Sequence, residues 1–571
     1  MPLRYVLLNI LTIVFIDLII ILLLRKLWIG NLIFGLFVSV LALINYYVIE
    51  FRGMPVTVQD IGDIRTAFNV SKAYSIDLSF KVFFLLILAI VAVGFSMKIR
   101  KGEQKIKNSK RKTLISGMAF LIVSICIYFG YFSKNPVKPP NVLEINWMEA
   151  YHKYGFTSCS VEILCKSVMP LKKVQGYDLT AIEGIVNQYS ASPKRPEKPD
   201  IILILNETFY DLNLITDLNC NIDVTEPIKT YDMIHGYTNV QVYGGGTSIS
   251  EYELLTSNSM HLLHGVTPFN SLEFKNSNSI VNYLDANGYY TLGAHPETSV
   301  YYSRERVYPK LGFDMIKFKD DFTETEYYAS RSPENGTMNV ITDSSAYRNL
   351  IRWYEQMPEE TPRFCYILTM QNHSPYGFLK EDEQIVYCNK DYGVYDAQVD
   401  EYLSCLYKSY EAFAELIEYF KNLERDVIIC MVGDHAPSFT SEIFDRFELS
   451  QIEQDLNLCT TPFLIWSNRE FEPREYKLFS LIYLVPVLLE EADMSLSPYY
   501  QYMLNMKEKA PVLTQLSHYF DAEYNLCPYI KNHEYTLDEI KNYFFMEYNN
   551  ISGKKNRIEK AFLPVKQING E

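Results

Sequence analysis

Three consecutive glycines precede a threonine in the stretch Tyr243-Gly-Gly-Gly-Thr247. Glycine has no Cβ and tolerates positive φ, so the backbone here can approach a ligand closely. The pattern of Ser248 to Ser259 predicts a short helix, which places Thr247 where a loop meets a helix N-terminus. Unpaired N–H groups at such a position favour an anion. The Thr247 hydroxyl is therefore a candidate nucleophile for a phosphate group, and an N-capping threonine after a glycine turn is the structural alternative.

Acidic residues and histidines follow four continuous apolar runs, each close to the point where the run ends. Such runs predict strands that are buried on both faces; they are Asp200 to Leu205, Gly288 to Gly293, Phe364 to Thr369 and Val427 to Val432. The residues after them are Glu207, His295, His373 and the pair Asp434-His435. Each one alone also fits a capping residue or a core histidine. Their recurrence after all four runs favours one shared site.

Helical patterns separate these runs, for example Ser279 to Asn287 and Val399 to Leu423, and Thr461 to Trp466 is a fifth strand candidate. Alternating strands and helices predict a mostly parallel central sheet with helices on both faces. In such a sheet the ligand lies beyond the carboxyl ends of the strands. The four strand ends are therefore expected to meet at the binding site.

Carboxylate, imidazole and hydroxyl groups together form a ligand set for a divalent metal such as Mn²⁺, Mg²⁺ or Zn²⁺. A metal bound to the oxygen of Thr247 would lower the pKa of that hydroxyl and make it a nucleophile at neutral pH. The ten cysteines show no spacing typical of a zinc site.

The first part of the chain contains four apolar segments of the length that crosses a bilayer as a helix. They are Tyr5 to Leu24, Trp28 to Ile49, Leu78 to Met97 and Leu114 to Phe132. The loop Lys98 to Lys112 carries eight Lys or Arg residues and is therefore expected in the cytoplasm. This topology predicts a multi-pass protein of the cell membrane whose N-terminus and whose chain after Phe132 are extracellular.

The chain has a net charge of −15, and the acidic excess lies after residue 140. An acidic soluble part argues against nucleic acid as a partner. A proline-rich linker, Ser190 to Pro199, precedes the first predicted strand.

Four motifs resemble the lipoteichoic acid synthase family, the membrane-anchored branch of the alkaline phosphatase/sulfatase superfamily. They are Asn206-Glu-Thr208, Gly244-Gly-Gly-Thr-Ser248, Asn372-His-Ser-Pro-Tyr376 and Gly433-Asp-His435. The resemblance extends to Tyr301–Asp314 and Ser497–Tyr500. It implies four regions: a transmembrane anchor of about four helices (1–133), a linker with amphipathic helices (134–199), a sulfatase-like catalytic domain (200–505) and a C-terminal extension (506–571).

The resemblance also implies roles for individual residues. Glu207, Thr247, Asp434 and His435 match the metal ligands of the family, which usually bind manganese, with Thr247 as the nucleophile. The matches to substrate-binding positions are His373, Arg304, His295 and Tyr302. Tyr302 stands where the characterised synthases have a tryptophan, and Glu297 stands where the family can have an aspartate.

The function implied by the resemblance is transfer of glycerol phosphate from phosphatidylglycerol to a cell-surface polymer or glycolipid, through a phosphothreonine intermediate. Transfer of another phospho-headgroup, such as phosphoethanolamine, uses the same metal and threonine and stays open. A sulfatase is disfavoured because the nucleophile position holds Thr247 and no cysteine is followed two residues later by proline. A catalytically silent membrane-anchored binding protein is a further alternative, which the complete ligand set argues against.

Overall fold

The computed structural model describes most of the chain outside short gaps. The described residues are 1–52, 55–56, 80–103, 109–133, 136–138, 147–168, 171, 173–189, 198–215, 218–263, 267–274, 277–331, 340–388, 396–444, 450–514, 518–552 and 556–564. Most of the predicted proline-rich linker, and part of the predicted basic loop, lie outside these ranges. The chain forms two compact units, one of residues 1–64 and 74–169 and the other of residues 65–73 and 170–571.

The first unit is helical in its described part. Its helices are α1 (Leu3–Leu24), α2 (Leu27–Arg52), α3 (Phe80–Glu103), α4 (Ser109–Tyr131), α5 (Trp147–Tyr154) and α6 (Phe156–Val168). Among the described residues, three helical segments are long and apolar enough to cross a membrane: Leu3–Leu24, Leu27–Ile49 and Phe80–Lys101. The fourth predicted span is helical, but its described apolar part, Gly117–Tyr131, is shorter than a full span. The protein is therefore a membrane protein with an N-terminal group of apolar helices.

Helices α1 and α4 of this unit run in opposite directions, as do α2 and α3. Thr12 Oγ1 of α1 lies 3.0 Å from the Tyr131 hydroxyl of α4, and Phe15 stacks on Phe120 with ring centroids 5.3 Å apart. Higher residue numbers in α1 thus pair with lower numbers in α4. In the same way Arg100 of α3 lies 4.9 Å from the ring centroid of Trp28 in α2. The start of α1 and the end of α4 therefore lie at the same end of the helical group.

The short helices α5 and α6 pack on the first turns of α1. Asn9 Nδ2 donates to the Tyr154 carbonyl oxygen over 2.7 Å and to Ser158 Oγ over 2.6 Å, and Ser158 N–H donates back to Asn9 Oδ1. Tyr5 packs edge to face on Tyr154. The polar side chain of Asn9, in the apolar helix α1, therefore finds hydrogen-bond partners in α5 and α6, the segment that leads to the second unit.

An eight-stranded sheet lies at the centre of the second unit, counted over its described residues. Its order is β4-β3-β5-β1-β6-β7-β2-β8. Seven of these strands run in one direction and β7 runs against both of its neighbours. The strands are β1 (Asp200–Asn206), β2 (Ile234–Asn239), β3 (Tyr290–Ala294), β4 (Met315–Lys317), β5 (Arg363–Leu368), β6 (Val427–Gly433), β7 (Thr460–Ser467) and β8 (Arg474–Ser480).

The mostly parallel sheet and all five predicted strands are confirmed. The central strands β1, β5 and β6 are buried along their whole length, as expected for strands covered by helices on both faces. Separate hydrophobic clusters cover the two faces of the sheet, since alternate residues of β1 belong to different clusters.

Helices of the second unit cover both faces of this sheet. They are α7 (Leu179–Gln188), α8 (Thr247–Thr256), α9 (Pro268–Ser271), α10 (Ile280–Ala286), α11 (Arg304–Leu311), α12 (Asp343–Glu355), α13 (Asp396–Phe420), α14 (Thr440–Phe444), α15 (Gln451–Leu458), α16 (Leu484–Glu491), α17 (Pro498–Lys509), α18 (Asp538–Ser552) and α19 (Glu559–Phe562). Short strands between α17 and α18 form a small three-stranded sheet and a two-stranded ribbon. Cys220 and Cys388 form a disulfide, which the sequence did not indicate.

Candidate metal centre and active site

The ends of β1 and β6 bring three of the predicted metal ligands together. Asn206 and Gly433 are paired in the sheet register, so the residues that follow them, Glu207 and Asp434, emerge side by side. A Cβ on Gly433 would lie 1.9 Å from the Phe209 carbonyl oxygen. Only glycine permits this close approach of the backbone beside the site.

Glu207, Asp434 and His435 form a buried cluster whose ligand atoms lie within 4.8 Å of one another. His435 Nε2 is 3.6 Å from Glu207 Oε1 and 3.3 Å from Asp434 Oδ2. Thr247 Oγ1 lies 3.4 Å from Glu207 Oε2. These four side chains are the predicted metal-ligand set, and the fold places them in one group.

The electrostatics of this cluster fit a bound cation. Burial, together with the nearby charge of Glu207, raises the pKa of Asp434 to about 7. Burial lowers the pKa of His435, but the carboxylates of Asp434 and Glu207 outweigh it and raise that pKa overall. Asp434 Oδ2 is buried without a hydrogen-bond partner among the described residues. Two close carboxylates, one with an unsatisfied oxygen, are costly when buried unless a cation compensates them.

Helix α8 begins at Thr247, as the sequence predicted. Gly245 and Gly246 have φ values of 147° and 93°, which lie in the region open to glycine. Gly246 occupies the N-cap position, and the helix start has no side-chain cap. Thr247 is therefore not a capping residue, so the structural alternative for this threonine is wrong. Ser250, one turn into the helix, donates from Oγ to the Asp434 carbonyl oxygen over 2.6 Å.

The loop after β5 carries His373 and is fixed by a buried ion pair that the sequence did not indicate. Arg331 donates to the carbonyl oxygens of Gln371, His373 and Pro375 over 3.0, 2.8 and 2.7 Å. Its Nε lies 3.5 Å from Glu401 Oε1. Glu401 Oε2 accepts N–H groups of the same loop, including that of Leu379 at 2.9 Å. One guanidinium and one carboxylate thus hold both ends of the His373 loop.

His295 and Arg304 lie in a common electrostatic environment with His373. His295 is buried, and its Nδ1 lies 3.2 Å from the Leu368 carbonyl oxygen. Burial lowers the pKa of His295 well below its ordinary value, and the charges of Arg304, Lys319 and His373 add to the effect. The imidazole of His295 is therefore neutral at physiological pH.

Arg304 is 2% exposed and is paired with a glutamate of α8. Arg304 Nη2 and Nε donate to Glu251 Oε2 over 2.8 and 3.0 Å. The hydroxyl of Tyr308 donates to Glu251 Oε1 over 2.6 Å. The remaining terminal nitrogen, Nη1, lies 3.4 Å from the Tyr301 carbonyl oxygen.

Tyr302, predicted to contact substrate, lies beside Arg304. Its ring centroid is 5.3 Å from Arg304 Cζ. Tyr302 and Ser303 have φ values of 53° and 56°. Non-glycine residues in this left-handed region are strained, and such strain is frequent at functional loops.

Glu251, Arg331 and Glu401 are the polar residues around the site that sequence reasoning missed. A signal existed only for Glu251, which lies four residues after Thr247 and so shares its helix face. Arg331 and Glu401 have no motif or strand end beside them. Apart from their ion pair with each other, their partners are mainly backbone groups, which leave no trace in the sequence.

Comparison with known proteins identifies the family of this fold. The sulfatase family model matches residues 199–494, which is just over half of the chain. A Rhizobium meliloti protein described as modifying cyclic beta-1,2-glucan is 23% identical over 434 residues, or 72% of this chain and 65% of the relative. Lipoteichoic acid synthase of Staphylococcus aureus is 26% identical over 197 residues, or 34% of this chain and 28% of the synthase. The chain thus spans less than two thirds of the length of these curated relatives.

Among solved structures, the Streptococcus pyogenes phosphoglycerol transferase GacH, in complex with sn-glycerol-1-phosphate, superposes with a TM-score of 0.55 at 20% identity. The alignment covers 69% of this chain and 99% of GacH. At this identity the similarity establishes the fold. The chain therefore belongs to the sulfatase family, as a membrane protein of the alkaline phosphatase/sulfatase superfamily that resembles the lipoteichoic acid synthases.

Proposed function

We propose that the protein is a metal-dependent phosphoglycerol transferase. It would move glycerol phosphate from phosphatidylglycerol to a cell-surface polymer or glycolipid, through a covalent intermediate on Thr247. The observation that carries this proposal is the position of the Thr247 hydroxyl, 3.4 Å from Glu207 and at the start of α8. A hydroxyl placed at a helix N-terminus beside a metal-ligand cluster suits attack on a phosphate.

The ligand set suits a hard or borderline divalent ion, of which we propose Mn²⁺. Glu207, Asp434, His435 and Thr247 would hold it. When bound, the ion lowers the pKa of the Thr247 hydroxyl and offsets negative charge on the phosphate oxygens. The residues of the chain supply orientation and proton transfer around that centre.

In the first step, Thr247 Oγ1 loses its proton to solvent and forms a bond to phosphorus, while the bond from phosphorus to the oxygen of diacylglycerol breaks. The leaving oxygen takes a proton. We assign that proton to His373, because His295 is already neutral and buried and its Nδ1 faces a carbonyl oxygen. In the second step an acceptor hydroxyl gives its proton to His373 and attacks phosphorus, and the bond from phosphorus to Thr247 Oγ1 breaks.

Similarity to known proteins, rather than local charge, supports glycerol over ethanolamine as the headgroup. The two cations near His295 are each paired with a carboxylate, Arg304 with Glu251 and Lys319 with Glu297. A glycerol hydroxyl accepts a hydrogen bond from a guanidinium. The S. aureus lipoteichoic acid synthases and the GacH phosphoglycerol transferase are similar in sequence or fold, which adds support for this donor.

Two features support an extracellular catalytic unit on a multi-pass anchor. The antiparallel helices α1 to α4 favour an even number of crossings, with the N-terminus and the chain after α4 on one side. The Cys220–Cys388 disulfide suits an oxidising compartment. Attachment to the membrane raises the effective concentration of a lipid donor at the site.

The test is to incubate the full-length protein in detergent micelles with Mn²⁺ and phosphatidylglycerol, and to measure diacylglycerol release and the intact mass of the protein. We expect a glycerophosphoryl adduct that maps to Thr247 and is absent in Thr247→Ala. The control is Thr256→Ala, at the other end of the same helix.

Each alternative outcome contradicts a separate part of the proposal. Diacylglycerol release by Thr247→Ala would exclude Thr247 as the nucleophile. An adduct formed only from phosphatidylethanolamine would show that the transferred group is phosphoethanolamine and not glycerol phosphate. If no adduct forms, bound manganese would indicate an enzyme with a different donor. If no adduct forms and no manganese is bound, the protein would be catalytically silent.

A further inference from the structure

Glu251 and Arg304 form a fully buried ion pair beside the candidate nucleophile. The side chains are 0% and 2% exposed. Both donors that Arg304 gives to Glu251 reach the same oxygen, Oε2, and the other carboxylate oxygen accepts the Tyr308 hydroxyl. Glu251 thus has a partner on each oxygen, and one edge of the guanidinium is occupied.

The other edge of the guanidinium makes one long hydrogen bond among the described residues. Nη1 of Arg304 contacts the Tyr301 carbonyl oxygen at 3.4 Å, which is long for a charged donor. That carbonyl belongs to the strained turn that contains Tyr302 and Ser303. Arg304 is therefore fixed on one side and keeps donor capacity on the other.

Glu251 lies four residues after Thr247 on α8. Residues at this spacing lie on the same helix face, about one turn apart. A single rigid turn of helix therefore joins the candidate nucleophile to the anchor of the candidate substrate arginine. Ser250 ties the same turn to Asp434.

We propose that Glu251 is a positioning residue, which sets the place of the Arg304 guanidinium relative to Thr247 and so aligns the phosphate donor for attack. The proposal rests on the proposed phosphotransfer function and adds a residue to it. Displacement of a substrate-orienting group by about 1 Å lowers turnover by about 100-fold. Loss of the Glu251 charge is expected to have an effect of that size.

The chain offers a matched control on the same helix. Glu253 is also buried, and one of its oxygens accepts the Met260 N–H at 3.1 Å. It lies two residues from Glu251 and has no contact with Arg304 among the described residues. Glu253→Gln removes a buried carboxylate from α8 without touching the ion pair.

The experiment compares full-length Glu251→Gln and Glu253→Gln in micelles, each normalised to bound manganese. We expect kcat/KM for phosphatidylglycerol to fall about 100-fold in Glu251→Gln and to stay at the wild-type level in Glu253→Gln. In a protein that already carries Arg304→Lys, the further change Glu251→Gln should hardly lower kcat/KM. The effects of two substitutions are not additive when the two residues act as a unit. If Glu251→Gln instead caused a general structural defect, it would lower the metal content and would lower kcat/KM in the Arg304→Lys protein as well.

Tyr308→Phe keeps the test decisive if Glu251→Gln does not fold, since it removes only one uncharged hydrogen-bond donor to Glu251. We expect a several-fold loss of kcat/KM that also depends on Arg304. Wild-type kcat/KM in Tyr308→Phe, and in any folded Glu251→Gln, would overturn the proposal. Failure of the proposed function itself looks different, because the wild-type protein would then release no diacylglycerol.

Discussion

Ser250 Oγ lies 2.6 Å from the carbonyl oxygen of Asp434, so the helix of the candidate nucleophile is bonded to the strand end that carries two of the proposed metal ligands. Both groups are buried. This bond fixes the first turn of α8 against β6 and sets the distance from Thr247 to the carboxylates. The proposed nucleophile and the proposed metal site are therefore parts of one rigid arrangement.

We predict that Ser250→Ala weakens metal binding without unfolding the protein. A residue that orients metal ligands from outside the ligand set typically changes metal affinity about 10- to 100-fold. Titration with Mn²⁺, followed by calorimetry, measures the dissociation constant. Thr256→Ala removes a comparable hydroxyl, bonded to the Tyr252 carbonyl oxygen of the same helix, and should leave that constant unchanged. Equal effects of the two variants would contradict this role of Ser250.

We predict that Glu207→Gln abolishes stoichiometric metal binding, because a neutral amide leaves only one carboxylate to balance the cation. Elemental analysis of the purified protein should show about one divalent ion in the wild type and almost none in the variant. Glu547→Gln is the control: it replaces another buried glutamate, whose oxygens accept the Ser259 hydroxyl. Retained manganese in Glu207→Gln would exclude Glu207 as a ligand.

We predict that Arg331→Lys loosens the His373 loop and raises KM. Lysine is a compact point charge and cannot reach three carbonyl oxygens in the plane of a guanidinium. Hydrogen exchange of residues 371–379 should speed up, with kcat/KM lowered by about tenfold. Arg363→Lys is the control, since Arg363 also binds loop carbonyl oxygens, those of Met357 and Pro358. Unchanged exchange in Arg331→Lys would show that the loop is held by other contacts.

We predict that His295 lowers the stability of the protein in acid. Its pKa in the folded state lies well below the ordinary value of 6.5, so below about pH 6.5 the unfolded chain takes up a proton that the folded chain does not. The free energy of unfolding then falls by up to about 1.4 kcal/mol for each pH unit until the folded pKa is reached. His295→Gln should flatten this loss in denaturant titrations at pH 7.5, 6.5 and 5.5. A parallel decline in the variant would assign the acid sensitivity to other groups.

We predict that the N-terminus is extracellular. In whole cells, a membrane-impermeant maleimide should label Pro2→Cys, at the start of α1, above the level of the parent protein. Lys26→Cys, in the turn between α1 and α2, should be labelled only after permeabilisation. The reverse pattern would mean that the basic loops are outside and that the proposed topology is inverted.

The sequence predicted the parts of the fold that carry a repeated signal. Strand β1 is a continuous apolar run because helices cover both of its faces, and Glu207, Asp434 and His435 follow such runs directly. Strand β2 was not predicted, because Ile234-His-Gly-Tyr-Thr-Asn239 is not a continuous apolar run. It is a strand because β7 and β8 pair with it on either side.

Contacts far apart in sequence account for most of what the sequence did not reveal. Arg331 holds carbonyl oxygens about 40 residues away, and backbone groups are the same for every residue type. The Cys220–Cys388 pair is separated by 168 residues, and nothing in ten scattered cysteines selects it. The sequence predicted that Arg304 contacts substrate. It did not predict the ion pair with Glu251, because that pair forms only when α8 packs against α11.

The disulfide also changes how the metal centre forms from an unfolded chain. Glu207 and Asp434 lie outside the loop that Cys220 and Cys388 close, so the cross-link shortens the chain path between these ligands from about 230 residues to about 60. The entropy cost of closing a loop grows with the logarithm of its length, and this shortening lowers it by about 1 kcal/mol. The oxidised chain should therefore gather its metal ligands about sevenfold more readily than the reduced chain. With the proposed extracellular placement, oxidation outside the cell would then prepare the protein to acquire the proposed ion.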